Sequence, residues 1–273
     1  MKGAIHTVSP PAFLAKKLEM DIFFYTLFQH VTETDLGAGS GPYGYVFTFP
    51  QTQPDFTANA GKFLTLGVSM PVSGRDFSLA DVISRQLTIA CVPGTDNGYM
   101  TLAPEMVGRI YDGSDTITSF AAASSASFFN WHAMTAKMGS TELVKGPNGF
   151  SLVLGNDADK VGSEVVGGNE YFQTYALKKY TAELTAQFLW DATTRAAFDK
   201  WLAGTAESGL TLEWGTADTD GYLKFSFNGK YNDQDTELTP EGDYVTLHLK
   251  ASGTYGSTEP VQINMVHTTD RAW

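Results

Sequence analysis

The fold is decided by the stretch KKYTAELTAQFLWDATTRAAFDKWLAG, residues 178–204. Apolar and polar residues alternate in its first part, and a period of two predicts a strand with one buried face. The residues expected on the buried face are Tyr180, Ala182, Leu184, Ala186 and Phe188. Those expected on the opposite face are Thr181, Glu183, Thr185 and Gln187.

A helix is predicted directly after this strand, over residues 192–203. Asp191 precedes it, and a short carboxylate at that place can accept hydrogen bonds from the free amides of the first turn. Phe198, Trp201 and Leu202 follow the i, i+3, i+4 spacing of an apolar stripe that faces the core. Gly204 stands where a left-handed residue ends a helix.

Three more alternating runs follow the helix. Their apolar positions are Leu210, Leu212 and Trp214, then Leu223, Phe225 and Phe227, then Val245, Leu247 and Leu249. One helix packed on antiparallel strands predicts a mainly β fold, and the abundance of Gly, Thr, Ser and aromatic residues is typical of that class.

Length and charge limit the function. A chain of 273 residues can bury a large core and predicts two domains. The formal charge of −12 argues against a surface that wraps nucleic acid, because such a surface needs Lys and Arg to neutralise phosphates. The single cysteine, Cys91, excludes an internal disulfide framework, and its apolar neighbours predict a small buried core residue.

The beginning of the chain lacks the apolar run of a signal peptide. Residues 20–28 are apolar and aromatic, but they are far fewer than the about 20 residues that span a bilayer. They read as a core strand with a bulge, or as the close of a helix that leads into a strand. We therefore expect a soluble protein made in the cytoplasm.

The order of elements predicts an internal repeat. A strand at residues 3–8 is followed by a helix that Ser9 caps, with Phe13, Leu14 and Leu18 as its apolar stripe, and then by a run of strands. The same order recurs from residue 178. The predicted organisation is a first domain at 1–105, a linker at 106–125, a second domain at 126–256 and a C-terminal arm at 257–273. Each domain is expected to be an antiparallel sheet or sandwich packed by a single helix.

A long polar loop is predicted over residues 156–169, between two strands of the second domain. It contains several glycines and the polar residues Asp157, Asp159, Glu164 and Asn169. Long insertions between strands are normally functional or flexible. We expect this loop to contact a neighbouring subunit or ring.

Candidate chemical sites are weak in this sequence. The histidines are His6, His30, His132, His248 and His267, and no two have the helical spacing of a zinc site. Residues 156–160 lack the central Gly and terminal Glu of a calcium loop, and the glycine-rich residues 37–41 lack the Lys of a phosphate loop. No pair of facing carboxylates is indicated. We expect no enzyme, no metal site and no cofactor.

The element order resembles that of the major tail tube proteins of long-tailed (siphovirus-type) bacteriophages, in the subgroup with two tube domains per chain. The resemblance is carried by residues 149–156, 180–188 with 191–204, 209–214, 222–231 and 243–253, and more loosely by residues 2–5 with 11–14. One departure is that the strands expected before the first helix are nearly absent. Residues around 80–92, a neighbouring subunit or an upstream segment would have to complete the first domain.

The resemblance implies a structural virion protein of the viral tail, assembled in the host cytoplasm. Trimeric rings with pseudo-sixfold symmetry would stack into a hollow tube, and a negatively charged lumen would let DNA pass without specific binding. Thr181, Glu183, Thr185 and Gln187 would face that lumen. The implied partners are copies of the chain itself, a tape measure protein inside the lumen, and tail terminator and distal tail proteins, with no membrane.

Two other readings remain open. The first is a virion component of another kind, such as a tail terminator, a decoration protein or a baseplate protein. The second is a carbohydrate-binding β-sandwich, which the five tryptophans suggest. Trp201 and Trp214 fall on the core faces of their predicted elements, and burial is the usual fate of such residues. The tryptophans are Trp131, Trp190, Trp201, Trp214 and Trp273.

Overall fold

The computed structural model describes the chain over most of its length. The described residues are 6–10, 12–17, 19–37, 39, 41–50, 63–70, 75–112, 128–161, 164–166, 169–171, 174–177, 179–203, 209–228, 230–231, 237–241, 244–254, 261–268 and 270.

Within these ranges the secondary structure consists of two α-helices, a short 3₁₀ turn and many strands. The helices are α1 (Asp21–Phe28) and α2 (Ala192–Leu202). The strands of the first half are β1 (His6–Val8), β2 (Phe13–Leu14), β3 (Val31–Asp35), β4 (Tyr43–Thr48), β5 (Leu64–Met70), β6 (Arg75–Cys91), β7 (Met100–Gly108) and β8 (Ile110–Asp112). Those of the second half are β9 (Met134–Met138), β10 (Thr141–Leu143), β11 (Lys145–Gly155), β12 (Ala158–Val161), β13 (Glu164–Val166), β14 (Asn169–Tyr171), β15 (Thr174–Leu177), β16 (Thr181–Leu189), β17 (Leu210–Trp214), β18 (Leu223–Phe227), β19 (Lys230–Tyr231), β20 (Glu237–Glu241), β21 (Tyr244–Thr254) and β22 (Val261–His267).

Most strands form two antiparallel sheets that face each other, and β12 with β15 and β13 with β14 form two further pairs, so the predicted mainly β class is confirmed. The large sheet has the order β1-β7-β6-β11-β16-β21-β19, with β2 beside β7, β20 beside β21, and β5 and β8 beside β6. The second sheet has the order β10-β9-β17-β18-β22-β4-β3. Aromatic side chains join the two: the Phe150 ring of the large sheet lies 5.9 Å from Trp214 and 6.4 Å from Phe225 of the second sheet.

The predicted alternation of strand 180–188 is confirmed by burial. Ala182, Leu184, Ala186 and Phe188 are each at most 3% exposed. The apolar positions of β17 and β18 are buried in the same way. The third predicted run lies in β21, of whose side chains the structure describes nothing. Cys91 is fully buried, as predicted.

The predicted second helix is also confirmed, with its cap. The backbone amide of Thr194 donates to Asp191 Oδ1 at 2.7 Å, which is the capping contact expected from the sequence. Phe198 is buried and its ring meets that of Trp190 at 6.0 Å. The helix lies beside β9 and β10 of the second sheet, and Phe198 belongs to the same apolar core as Leu184 and Phe188 of β16. The side chains of Trp201 and Leu202, and Gly204 altogether, lie outside the described residues.

The predicted first helix is wrong in position. Phe13 and Leu14 form β2, which pairs with β7, and Leu18 lies outside the described residues. The helix is residues 21–28 instead, followed by β3, which agrees with the second reading of that apolar stretch. Five consecutive residues, Phe24 to Phe28, are buried between the sheets. A helix that is buried on nearly all sides has no polar stripe, so its periodicity does not distinguish it from a buried strand.

The two predicted domains share both sheets and one core. β6, from the first predicted range, pairs with β11 from the second. β22 lies in the range predicted as a C-terminal arm, yet it is an inner strand between β18 and β4, with Val261, Ile263 and Met265 buried. Residues 106–108 and 110–112 of the predicted linker belong to β7 and β8, and residues 113–125 lie outside the described ranges. The described strands therefore build one sandwich and not two tandem ones.

A buried polar pair connects the first helix with the last strand. His267 Nε2 lies 3.5 Å from Asp21 Oδ2, and both side chains are 0% exposed. The Tyr45 ring packs on the imidazole at 5.6 Å. Breaking a buried pair is costly because the remaining charge loses its partner in a medium of low polarity.

We predict that Phe198→Ala lowers the free energy of unfolding by about 3–5 kcal/mol, because the truncation leaves a cavity beside Trp190. Urea unfolding followed by far-UV circular dichroism measures this loss. The matched control is Arg195→Ala on the same helix, whose side chain is 70% exposed and which should change stability by less than about 0.5 kcal/mol. A loss near zero for Phe198→Ala would mean that the ring does not belong to the core.

His267→Leu should lower the free energy of unfolding by about 3–5 kcal/mol, because the buried Asp21 carboxylate loses the imidazole beside it. The double variant Asp21→Asn with His267→Leu should recover part of this loss. Chemical denaturation of the parent chain, the two single variants and the double variant measures the coupling energy between the two side chains. The exposed His132 provides the control, as His132→Leu. Strictly additive losses would refute the coupling of the buried pair.

Candidate assembly surface

The side of the large sheet that faces away from the core forms a broad surface of small side chains. Since side chains alternate along a strand, each row of buried residues is followed by a row that points outward. Three outward rows cross the strands β7, β6, β11 and β16, and we call these twelve residues the outer face. The rows are Thr101, Ala90, Ser151, Thr185; Ala103, Thr88, Val153, Glu183; and Glu105, Gln86, Gly155, Thr181.

Three of the four residues predicted to face a lumen lie on the outer face. Glu183 and Thr185 are exposed, and Thr181 is half-buried. In the first two rows of the outer face the other positions are Ala, Ser, Thr and Val. On the neighbouring strand β21 these rows continue with Lys250 opposite Thr185 and Ser252 opposite Glu183. Within the outer face itself the surface has low relief there, because no long side chain besides that of Glu183 rises from its first two rows.

Gln187 does not belong to this accessible surface. It is only 2% exposed, and its Oε1 accepts a hydrogen bond from the amide of Asn148 at 2.6 Å. The register of β11 against β16 shifts between Lys145 and Phe150. This bulge places the backbone of β11 over the Gln187 side chain. A Cβ atom on Gly146 would lie 2.8 Å from Gln187 Cγ, so the backbone covers the glutamine closely. Simple alternation cannot predict such a bulge.

Charges of both signs meet in an open cleft at one end of the outer face. The Arg85 guanidinium lies 3.7 Å from Glu105 and 3.6 Å from Asp157. All three side chains are at least 36% exposed, so these pairs contribute little to stability. The cleft has a volume of about 330 Å³ and is lined by Arg85, Gln86, Glu105, Gly155, Asp157, Lys179 and Thr181. This end of the surface is therefore mixed in charge and not uniformly acidic.

The range predicted as a long polar loop is largely a two-stranded arm. β12 pairs with β15 from Ala158↔Leu177 to Val161↔Thr174, and β13 pairs with β14 further out. We call residues 158–177 the arm. Asp157 and Asp159 lie at its base, whereas the side chains of Glu164 and Asn169 lie outside the described residues. Short strands interrupted by glycines carry a weak alternation signal, which explains the prediction of a loop.

A second projection starts from the same end of the large sheet. β6 is long, and its first half pairs with β5 from Leu64↔Val82 to Met70↔Arg75. β8 pairs with the other side of β6 at residues 78–80. We call residues 64–82 the hairpin. The Phe63 ring at its base lies 6.1 Å from the Tyr175 ring of the arm, so the two projections are neighbours where they leave the sandwich.

Three reactive side chains of the described residues, Cys91, His30 and His267, each have a defined environment in the fold. Burial raises the pKa of the Cys91 thiol to about 12, so it is not a thiolate nucleophile near neutral pH. His30 Nδ1 is 2.9 Å from Thr48 Oγ1, and the His267–Asp21 pair has no exposed surface through which a substrate could reach it. The described residues contain no group of three or more His, Cys, Asp or Glu side chains that could hold a metal ion. Neither described helix has the length and apolarity to cross a membrane.

Comparison with known proteins assigns no family to this chain. No protein-family model matches the sequence, and no curated protein matches it. The resemblance to tail tube proteins therefore stays a prediction based on the order of the elements.

Proposed function

We propose that the chain is a structural subunit which assembles with copies of itself into a hollow tube of the bacteriophage tail-tube type. In this proposal the outer face lines the lumen, and DNA passes along it without specific binding. The observation that carries the proposal is the outer face itself: a wide surface of mostly short side chains on a sheet whose opposite side is packed in the core. Gln86, Glu183 and Thr185 are exposed on it, Gly155 is buried, and the other eight residues are half-buried.

The edges of the large sheet support self-assembly. At one end of the described order β1 bonds only to β7, and at the other end β19 and β20 bond only to β21. An open sheet edge presents unpaired backbone amides and carbonyls, and it is a ready template for pairing with another chain. Identical copies joined edge to edge form a ring if the rotation between them closes. Both ends of this sheet are thus suited to joining neighbours in a ring.

The arm and the hairpin support stacking of such rings. Both leave the sandwich at the same end of the sheet, next to the cleft that contains Arg85. In the proposed tube the projections contact the neighbouring ring.

The fold does not fix the number of copies in each ring. The expectation of three copies rested on two complete tube domains in each chain. Because the described strands form one shared sandwich, that count has no support from the fold, and the mass of the ring has to be measured.

The carbohydrate-binding alternative loses two of the five tryptophans that suggest it, while Trp190 is half-buried. Trp131 and Trp214 are 5% and 2% exposed, so neither offers a platform on which a sugar could stack. The indole of Trp214 donates to the Asn130 carbonyl at 2.8 Å, which fixes it in the core. Trp201 and Trp273 have no described side chains. A virion component of another kind remains an outcome of the imaging experiment below.

We predict that the purified protein forms rings or tubes as its concentration rises, because its sheet edges and projections can then be satisfied by other copies. Sedimentation velocity gives the mass of the ring, and negative-stain electron microscopy gives its shape. Compact knobs or closed caps would favour another virion component. A protein that stays monomeric at all concentrations would contradict the proposed assembly.

A shortened arm should separate folding from stacking. Replacing residues 162–173 by an Asn-Gly turn connects Val161 to Thr174, which are already paired across the arm. The variant should keep the circular dichroism spectrum and the melting temperature of the parent chain to within a few degrees. It should fail to extend beyond single rings in electron micrographs. Normal tubes from this variant would remove the arm from the stacking contact.

Glu183→Lys should leave tube length nearly unchanged but slow DNA ejection at low salt, because a cation on the lumen wall attracts passing phosphates. The rate should recover as the ionic strength rises past about 0.1 M, where the Debye length falls to about 10 Å. Glu183→Gln, which removes the charge without reversing it, is the matched control. Ejection kinetics of virions that carry each variant provide the measurement, and equal rates at every salt concentration would refute the lumen assignment of this residue.

A further inference from the structure

We propose that the arm and the hairpin share one mount, residues 81–86 of β6, and move as a single rigid unit, with Asn156 and Tyr175 as the residues that position the arm on it. The coupling itself is a property of the single chain. Only its consequence, that both projections reach a neighbouring ring in a fixed relative orientation, rests on the proposed function.

The mount is the place where β6 changes partners. Before it β6 pairs with β5 and β8, and after it β6 pairs with β7 and β11. The register against β7 shifts between Ser84 and Gln86, which marks a bulge. Asp81 has a left-handed backbone with φ of 53°, and such a conformation persists in a non-glycine residue when its surroundings hold it. Nε of Arg109 donates to the Asp81 carboxylate at 2.8 Å and provides that support.

Asn156 fixes the strand that enters the arm. It is 0% exposed, and its side-chain amide donates to the carbonyls of Ser84 at 2.8 Å and Leu27 at 3.1 Å. Its backbone amide donates to the Arg85 carbonyl at 3.1 Å, and its Oδ1 accepts from the amide of Ala158 at 3.2 Å. The Leu27 carbonyl belongs to the last turn of α1, where carbonyls lack partners within the helix. One side chain thus joins the mount, the first helix and the beginning of the arm.

Tyr175 fixes the strand that returns from the arm. It is 3% exposed, and its hydroxyl lies 2.7 Å from the Asp81 carbonyl and 3.0 Å from the Val107 carbonyl, so that one hydrogen is shared by two acceptors. Its ring packs in a small apolar cluster with Ile83 and Leu177. Burial first, and then the nearby Asp81, raises the pKa of this phenol, so it keeps its hydrogen at all ordinary pH values.

Both strands of the arm are therefore bonded to backbone carbonyls of the same short segment. The carbonyls of residues 81, 84 and 85 accept from the arm side, while residues 75–82 of the same strand build the hairpin. If the arm separates from the mount, these carbonyls lose the donors Tyr175 and Asn156, which is costly in the protein interior. Relaxing the mount would in turn loosen the first half of β6. We therefore expect opening of the arm to be linked to opening of the hairpin.

The test is hydrogen–deuterium exchange on the dispersed chain with Tyr175→Phe, which removes only the hydroxyl. Amides of residues 174–177 and those of the hairpin, 64–70 and 75–82, should exchange about tenfold faster, because both open through the same mount. Amides of β17 and β18 should keep the exchange rates of the parent chain. Tyr222→Phe is the matched control, since that hydroxyl donates to Glu213 at 2.8 Å on the second sheet, and it should leave both projections unchanged.

Asn156→Ala tests the same coupling from the entering strand and should accelerate the same two sets of amides. Faster exchange confined to the arm, or spread equally over β17 and β18, would overturn the shared mount, as would no change at all. These exchange measurements need no assembly. If the arm and the hairpin exchange together in a chain that never forms tubes, the shared mount is supported and the proposed tube is refuted. If they exchange independently in a chain that forms tubes, the tube is supported and the shared mount is refuted.

Discussion

The antiparallel pairing of β6 with β11, from Cys91↔Phe150 to Gln86↔Gly155, is the interaction on which the rest of the structure depends. It joins a strand of the first half of the chain to one of the second half, and it places them in the middle of the large sheet. The inward rows of this pair, such as Ile89 with Leu152, supply the core. The outward rows supply the outer face. The same strand pair therefore contributes one face to the core of the sandwich and the other face to the outer face.

This arrangement separates the aromatic core from the outward side of the large sheet. The aromatic residues lie between the sheets, where Phe150, Trp214 and Phe225 meet within 5.8–6.4 Å. In the first two rows of the outer face, the outward positions of β7, β6 and β11 are short side chains. In the proposed tube the outer face lines the lumen, whereas the sheet edges and the two projections contact other copies of the chain.

Local patterns predicted the parts of the fold that depend on local physics. The alternation in β16, the second helix and its Asp191 cap follow from residues within a few positions of one another. α1 was placed too early because it is buried on most sides and therefore lacks a polar stripe. β22 was taken for an arm although Val261, Ile263 and Met265 alternate, since the expected repeat drew the boundary before it. A repeat in element order was thus a weaker guide than the alternation itself.

The candidate surface was predictable only in part, for the same reason. Thr181, Glu183 and Thr185 follow from the period of two, but the bulge that buries Gln187 is formed by residues 145–150 of another strand. Asn156 and Tyr175 bind carbonyls that lie 72 and 94 positions away in the chain, and no local pattern indicates such partners. The Asp21–His267 pair joins opposite ends of the chain. Contacts of this kind become visible only once the strand order is known.

The most direct test of the proposed tube is a cryo-electron microscopy reconstruction of the assembled protein at a resolution that traces the strands. We predict a hollow tube in which Thr88, Val153 and Glu183 point into the lumen, with β1 of one copy next to β19 or β20 of its neighbour. A tube with this surface on the outside, or an assembly in which the outer face is packed against another subunit and no channel exists, would contradict it.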